Sequence, residues 1–424
     1  MIPAAGAFTA GARSRLLPAS VPLRYFGAAV LFHALAWALL LVYPAELARF
    51  AAYGGLGPAL AALHLVTLGV LAMTAVGATL QLFPIATRQA VRSVAAARLV
   101  WWLLAPGVAL FAAGAASHRP QLLGAGAALA IAGLAVYGWL LFENLRRARG
   151  MRAVVAHGWG ALAALVLLAA SGLALAAHYE HGLALDRGAF AAAHLVLAAY
   201  GFMGLLAMGL SQFLLPMFAV SPAPSVRSAY AALAAAAAAI VLAVAALLAP
   251  SERLLGAAAL LGLTAAAAHV LAMEGALKKR LRPQLGPAFL LVRVAWACLL
   301  ASLALAALIA LGWAPPSAAA LFGVLLVPGW LLTFLLAVLQ RIVPFLATVH
   351  AGGRGRGAPL VSSFTPARTL AAHRVLHLTA LALLLAGAAL GTEWLMRAAA
   401  AAGLGAALAY GAFFVQVLAR LKED

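Results

Sequence analysis

HLVTLGVLAMTAVGATLQLFPI, residues 64–85, holds no charged side chain over 22 positions. A run of that length crosses the roughly 30 Å hydrocarbon core of a bilayer as one helix. Within it Gly69 precedes Pro84 by 15 residues, and Gln81 stands three before the proline. The arrangement returns in HLVLAAYGFMGLLAMGLSQFLLPMF (194–218), with Gly201, Gln212 and Pro216, and in GWLLTFLLAVLQRIVPFLATVH (329–350), with Gly329, Gln340 and Pro344. The chain has only seven Gln, so three at one place in three apolar runs mark an internal repeat. The copies lie 132 and 128 residues apart. That spacing accommodates four helices, and an even number leaves every copy with the same orientation. The expected fold is therefore an all-α polytopic membrane bundle of about 12 transmembrane helices. It comprises three four-helix units, 24–150, 151–282 and 283–420, with pseudo-threefold symmetry about the membrane normal. Inverted repeats, common in secondary transporters, are a different arrangement.

Working outward, composition agrees. Of 424 residues 67% are hydrophobic and 9% charged, too little polar surface for a soluble protein of this size. The lipid bilayer is the first partner. Hydropathy predicts helices at 24–46, 56–86, 95–117, 121–145, 153–177, 188–218, 228–249, 253–277, 287–313, 317–347, 369–391 and 394–419. Residues 1–23 form an N-terminal segment, 24–420 a single transmembrane domain, and 348–368 the longest loop. If the N-terminus is cytoplasmic, 23 of the 28 basic residues fall on cytoplasmic flanks and five on outer loops. This is the positive-inside pattern, so the net charge of +19 reports topology and requires no nucleic acid. Both termini are then cytoplasmic. The first apolar run exceeds 20 residues without a small-x-small exit and reads as a retained helix. Cys298 is the only cysteine, which excludes internal disulfides, thiolate clusters and CxxCH haem attachment.

Candidate chemistry rests on ionisable groups within the spans. No carboxylate falls at mid-membrane; Glu143 and Glu274 stand in last turns on the cytoplasmic side, and Glu143 is placed to pair with Arg146 or Arg147. His33, His64 and His194 fall inside helices one, two and six. His64 and His194 lie about two turns from the outer ends of two repeat copies. Two neutral imidazoles in dry surroundings suit bis-histidine haem or a copper ion; alternatively each hydrogen-bonds a carbonyl on a neighbouring helix. His64 lies five residues before its repeat glycine and His194 seven, so the two are not equivalent positions. Of His157, His269, His373 and His377, the last two share a face at i, i+4, but Arg374 and the adjoining loop suggest a wet helix start. Met73, Met203 and Met208 are conceivable axial ligands or simple packing. Each proline frees a carbonyl that the nearby glutamine amide is placed to bond. The GGRGRG stretch at 352–357 reads as an anion-holding nest or a basic linker. The alanines from Ala231 to Ala239 suit close helix packing.

The three quoted stretches resemble a divergent branch of haem-copper oxidase subunit I-like membrane proteins, nitric oxide reductases included, and are similar to the NnrS family of haem and copper membrane proteins. The resemblance spans the whole chain. It implies a bacterial inner membrane, a b-type haem and, less strongly, copper, with other respiratory subunits or quinol as partners. By it His64 matches the helix-two ligand of the low-spin haem and His194 the helix-six copper position; His33 is a further cofactor candidate. Oxidases also carry His-x-His on helix ten and a His pair after helix six. Neither is present, so terminal oxidase activity is not expected.

The competing roles are electron transfer, nitric oxide or redox stress handling, or respiratory complex assembly with haem; a cofactor-free permease; and a structural partner of a membrane complex. Topology is testable directly. Reporter fusions after Arg149 and after Lys279 will both read as cytoplasmic, and a periplasmic signal at either overturns the helix count.

Overall fold

The computed structural model describes residues 15–351 and 360–423. Among them twelve helices are long and apolar enough to span a membrane. They are α1 (Ser20–Val42), α2 (Pro58–Thr87), α3 (Val94–Ala116), α4 (Pro120–Leu145), α5 (Arg152–His181), α6 (Arg187–Ala219), α7 (Val226–Leu248), α8 (Glu252–Lys278), α9 (Ala288–Ala310), α10 (Ala318–Ala351), α11 (Ala367–Leu390) and α12 (Glu393–Leu421). The fold is thus the expected polytopic all-α bundle.

Local chemistry sets the ends. Ser93, Ser225, Ser251 and Asp186 accept from the first-turn amides of α3, α7, α8 and α6. Pro58 and Pro120 open α2 and α4, where a missing N–H costs nothing. The first span runs 20–42 instead of 24–46, because Pro44 pushes Tyr43 out of helical geometry (φ −122°, ψ 61°). A short helix, Glu46–Tyr53, follows outside the span. Its Arg49 binds Glu46 at 2.6 Å and holds that carboxyl below the usual carboxylate range. At the other extreme α10 continues through Pro344 to Ala351, so the loop expected from 348 begins later and is interrupted by a 3₁₀ turn at Val361–Phe364. The GGRGRG stretch lies outside the described residues.

The second helix of each proposed unit touches the other three: α2 meets α1, α3 and α4; α6 meets α5, α7 and α8; α10 meets α9, α11 and α12. Helix α12 packs on α1 and closes the ring. Each repeat copy contains an eight-residue π-helical stretch, Leu65–Ala72, Leu197–Gly204 and Leu325–Leu332, with the repeat glycine fifth in all three. Through these stretches α2 and α6 both contact α10, and Tyr200 stacks on Trp330 at 5.5 Å.

Contacts repeat as well as sequence. Added Cβ atoms at Gly69 and Gly77 would meet Phe32 and Tyr25 at 2.8 and 2.7 Å; at Gly201 and Gly209 they would meet Ala164 and His157 at 2.8 and 2.6 Å. Thr79 bonds Tyr137 at 2.9 Å, and Ser211 bonds His269 at 3.2 Å. Every residue of the second set lies 132 positions after its counterpart. The alanine-rich α7, by contrast, is the least buried span; Ala229, Ala232, Ala239 and Ala246 are buried, with Leu233, Ala236, Ile240 and Val244 partly buried against the core.

Backbones approach most closely between α3 and α4. A Cβ at Gly107 would stand 2.5 Å from the Ala130 nitrogen, and one at Gly126 would overlap the Phe111 backbone. Gly126→Val will therefore lower stability by about 1–3 kcal/mol through overpacking. Gly275→Ala on α8, with nothing within 4 Å of the new Cβ, will leave it unchanged or raise it. Thermal unfolding in detergent checks both, and equal midpoints would contradict the packing.

Candidate functional site

His64 is the residue immediately before the π-helical stretch of α2, and His194 stands three before that of α6. Both are half-buried and within electrostatic range of each other. Their hydrogen bonds fix their tautomers. The Leu60 carbonyl, 3.0 Å from His64 Nδ1, only accepts, so that nitrogen carries the proton. Ser171 donates its proton to the Leu168 carbonyl and so accepts from His194 Nδ1 at 3.0 Å. Each imidazole consequently presents a bare Nε2 lone pair, with no donor bonded to it among the described residues. Phe111 of α3 covers the His64 ring at 4.5 Å. Gly172 of α5 lies under His194, where a Cβ would come within 3.1 Å of Cε1.

Two further histidine sets lie deeper. His269 faces Ser211 and Gln212 of α6, donating from Nε2 to Ser211 and receiving from Gln212 Nε2 at 3.4 Å, while His157 packs on Gly209 and its Nδ1 donates to the Ala153 carbonyl. His33, His373 and His377 are mutually within electrostatic range. His33 receives a bond from Trp37 at 3.0 Å. It therefore belongs with α11 and not with the His64 and His194 pair. The wet helix start expected at His373 and His377 is overturned: both are buried, at 0% and 2% exposure, with rings stacked at 5.7 Å. Helix α11 carries them inward against α10, where Gln340 donates to His373 at 3.1 Å and Thr333 accepts from His377 at 2.8 Å.

The glutamines also differ from expectation. Gln81 binds the Leu17 N–H and carbonyl at 2.8 and 3.1 Å, and Gln212 and Gln340 serve imidazoles. None bonds the carbonyl released by its proline. In α6 and α10 that carbonyl, four residues before Pro216 and Pro344, belongs to the glutamine itself, beyond reach of its own amide. Of the methionines, Met73 and Met208 are buried packing residues.

Acids stay at the helix ends. Glu143 accepts from Arg146 at 2.6 Å and from Arg92 at 2.9 Å, and Arg147 binds its backbone carbonyl. Glu274 pairs with Arg293 at 2.7 Å. Among the described residues no three His, Cys, Asp or Glu side chains gather to hold a metal ion. Sequence reasoning missed Ser171, Thr333, Trp37 and Phe111, whose only signal is a polar or aromatic side chain in an otherwise apolar span. Neither a protein-family model nor a curated protein matches this chain.

Thr333 is the sharpest structural test. It accepts from His377 while donating to the Pro328 carbonyl at 2.7 Å within the π-helical stretch. Thr333→Val leaves two buried groups unpaired and will cost about 1–3 kcal/mol in thermal unfolding. Thr264→Val, exposed and bonded only to the Leu260 carbonyl, will cost about 0.5 kcal/mol or less. Similar losses for both would refute the network.

Proposed function

We propose that the chain is a b-type haem-binding protein of the bacterial inner membrane, with both termini cytoplasmic, and that His64 and His194 are its imidazole ligands. One observation carries this reading: two imidazoles on repeat helices that both pack on α10 have their Nδ1 protons tied to fixed acceptors and their Nε2 lone pairs free. A carbonyl or hydroxyl on the remote nitrogen is the usual support of a metal-ligating histidine; it fixes the tautomer, orients the ring and increases its basicity.

The residues fit haem better than copper. A tri-histidine copper centre requires three gathered ligands, whereas a low-spin haem iron takes two axial imidazoles. Phe111 supplies an aromatic wall, and the missing side chain at Gly172 lets the His194 ring seat against α5. A haem held by His64 and His194 would supply one-electron transfer chemistry. The protein's share is to hold two neutral rings in fixed orientations and to keep water from them; Leu60 and Ser171 do the first, and the surrounding apolar spans the second. Quinol or another respiratory subunit is the electron partner in this reading. The basic residues gathered at one end of the bundle support the stated orientation.

Protein purified from haem-replete cells will show a Soret band, and either His64→Ala or His194→Ala will abolish the low-spin spectrum with the fold retained by circular dichroism. Colourless wild-type protein, or a spectrum indifferent to both substitutions, removes the proposal.

A further inference from the structure

Between the connection that leads into α5, the first turns of α5 and α7 lies an open cleft of about 450 Å³. Arg149, Gly150 and Arg152 form its rim, and Trp159 of α5 and Tyr230 of α7 its lower wall. The rim is rigid because the connecting loop is bonded to the end of α2: the Arg149 N–H donates to Thr87 O at 2.9 Å and the Met151 N–H to Ala86 O at 2.8 Å. Gly150 sits so close to Ala86 O that a Cβ there would overlap it.

The cations of this cleft are uncommitted. Glu143, the nearby acid, is bound by Arg146 and Arg92, and Arg147 Nε donates to a backbone carbonyl. Arg149 and Arg152 are exposed and have neither an ion-pair nor a hydrogen-bond partner for their side chains among the described residues. The comparable connection after α8 docks in a similar way, with the Leu281 N–H on Val220 O at 2.9 Å. Its arginines are each bonded, however: Arg280 donates to the Leu277 carbonyl and Arg282 to the Phe218 carbonyl, both at 3.3 Å or less. A positive-inside charge count explains both connections equally and does not explain this difference.

We infer that the cleft formed by the α4–α5 connection, α5 and α7 binds the headgroup of an anionic phospholipid, its phosphate between Arg149 and Arg152. Guanidinium groups pair with phosphate oxygens through parallel N–H donors. The first turn of α5 has no side-chain cap and adds backbone N–H groups to the same rim. Trp159 and Tyr230, 38% and 41% exposed, lie where aromatic side chains meet the headgroup level of a bilayer. The acyl chains then descend along the outward faces of α5 and α7, among the less buried spans of the bundle. A basic pocket between spans at the cytoplasmic leaflet is the usual setting for such lipids. The site is independent of the haem proposal.

The test is native mass spectrometry of the full chain after delipidation, titrated with phosphatidylglycerol and, separately, phosphatidylcholine. Wild type will prefer phosphatidylglycerol, and raising the ionic strength will weaken that preference alone. The paired substitution Arg149→Ala with Arg152→Ala will weaken phosphatidylglycerol binding by about tenfold or more, while Arg98→Ala on α3 leaves it unchanged. Because these side chains are exposed and unpaired, unfolding midpoints in zwitterionic detergent will match wild type. Equal loss from Arg98→Ala, no preference between the lipids, or full displacement of the lipid by inorganic phosphate at matched ionic strength each overturns the inference.

Discussion

In hydrocarbon a polar group without a partner costs several kcal/mol, and no solvent is at hand to supply one. The interior polar chemistry of this bundle follows from that constraint. Thr333 joins the Pro328 carbonyl to His377, Ser211 joins the Met208 carbonyl to His269, and Ser171 joins the Leu168 carbonyl to His194. In each case a hydroxyl passes its one proton to a backbone oxygen and thereby becomes an acceptor for an imidazole N–H. The consequence reaches function, because a histidine anchored at one nitrogen is left with a defined lone pair at the other. At His64 and His194 those lone pairs belong to two repeat helices that both pack on α10, which is the basis of the haem proposal.

The same constraint shows how a repeated architecture diverges chemically without losing its contacts. In the first unit Thr79 meets the phenol of Tyr137 and Gly77 admits Tyr25; 132 residues on, Ser211 meets His269 and Gly209 admits His157. A hydroxyl-to-ring bond and a glycine-to-ring contact persist while phenols become imidazoles. The third unit departs further. Leu339 stands where Thr79 and Ser211 have counterparts, and the polar partners of α10 come instead from α11. Tyr410 of α12 is left with a buried hydroxyl that meets no partner among the described residues, edge-on to His373 at 5.2 Å.

Charge is separated from this interior with little overlap. The acids are engaged by arginines near helix ends, as at Glu143 and Glu274, and the remaining guanidinium groups cap carbonyls or face outward. Arg149 and Arg152, at the entry to α5, differ in this from Arg280 and Arg282 after α8, which are bonded to carbonyls.

By itself the sequence determined the solvent, the number of spans and the repeat: lipid imposes a minimum apolar length on every helix, and the Gly69, Gln81 and Pro84 spacing recurs too regularly for unrelated helices. It also brought His64 and His194 forward, since an imidazole within an apolar span is conspicuous. Only the tertiary structure decided who meets whom. It buried His373 and His377 against α10, drew His33 to them, and gave the glutamines to imidazoles and to Leu17 in place of proline-freed carbonyls. The physical reason is that spans apolar on all sides have no polar stripe to mark the face turned inward. Which neighbour receives a side chain then depends on the packing of helices up to hundreds of residues apart, and local periodicity carries no record of it.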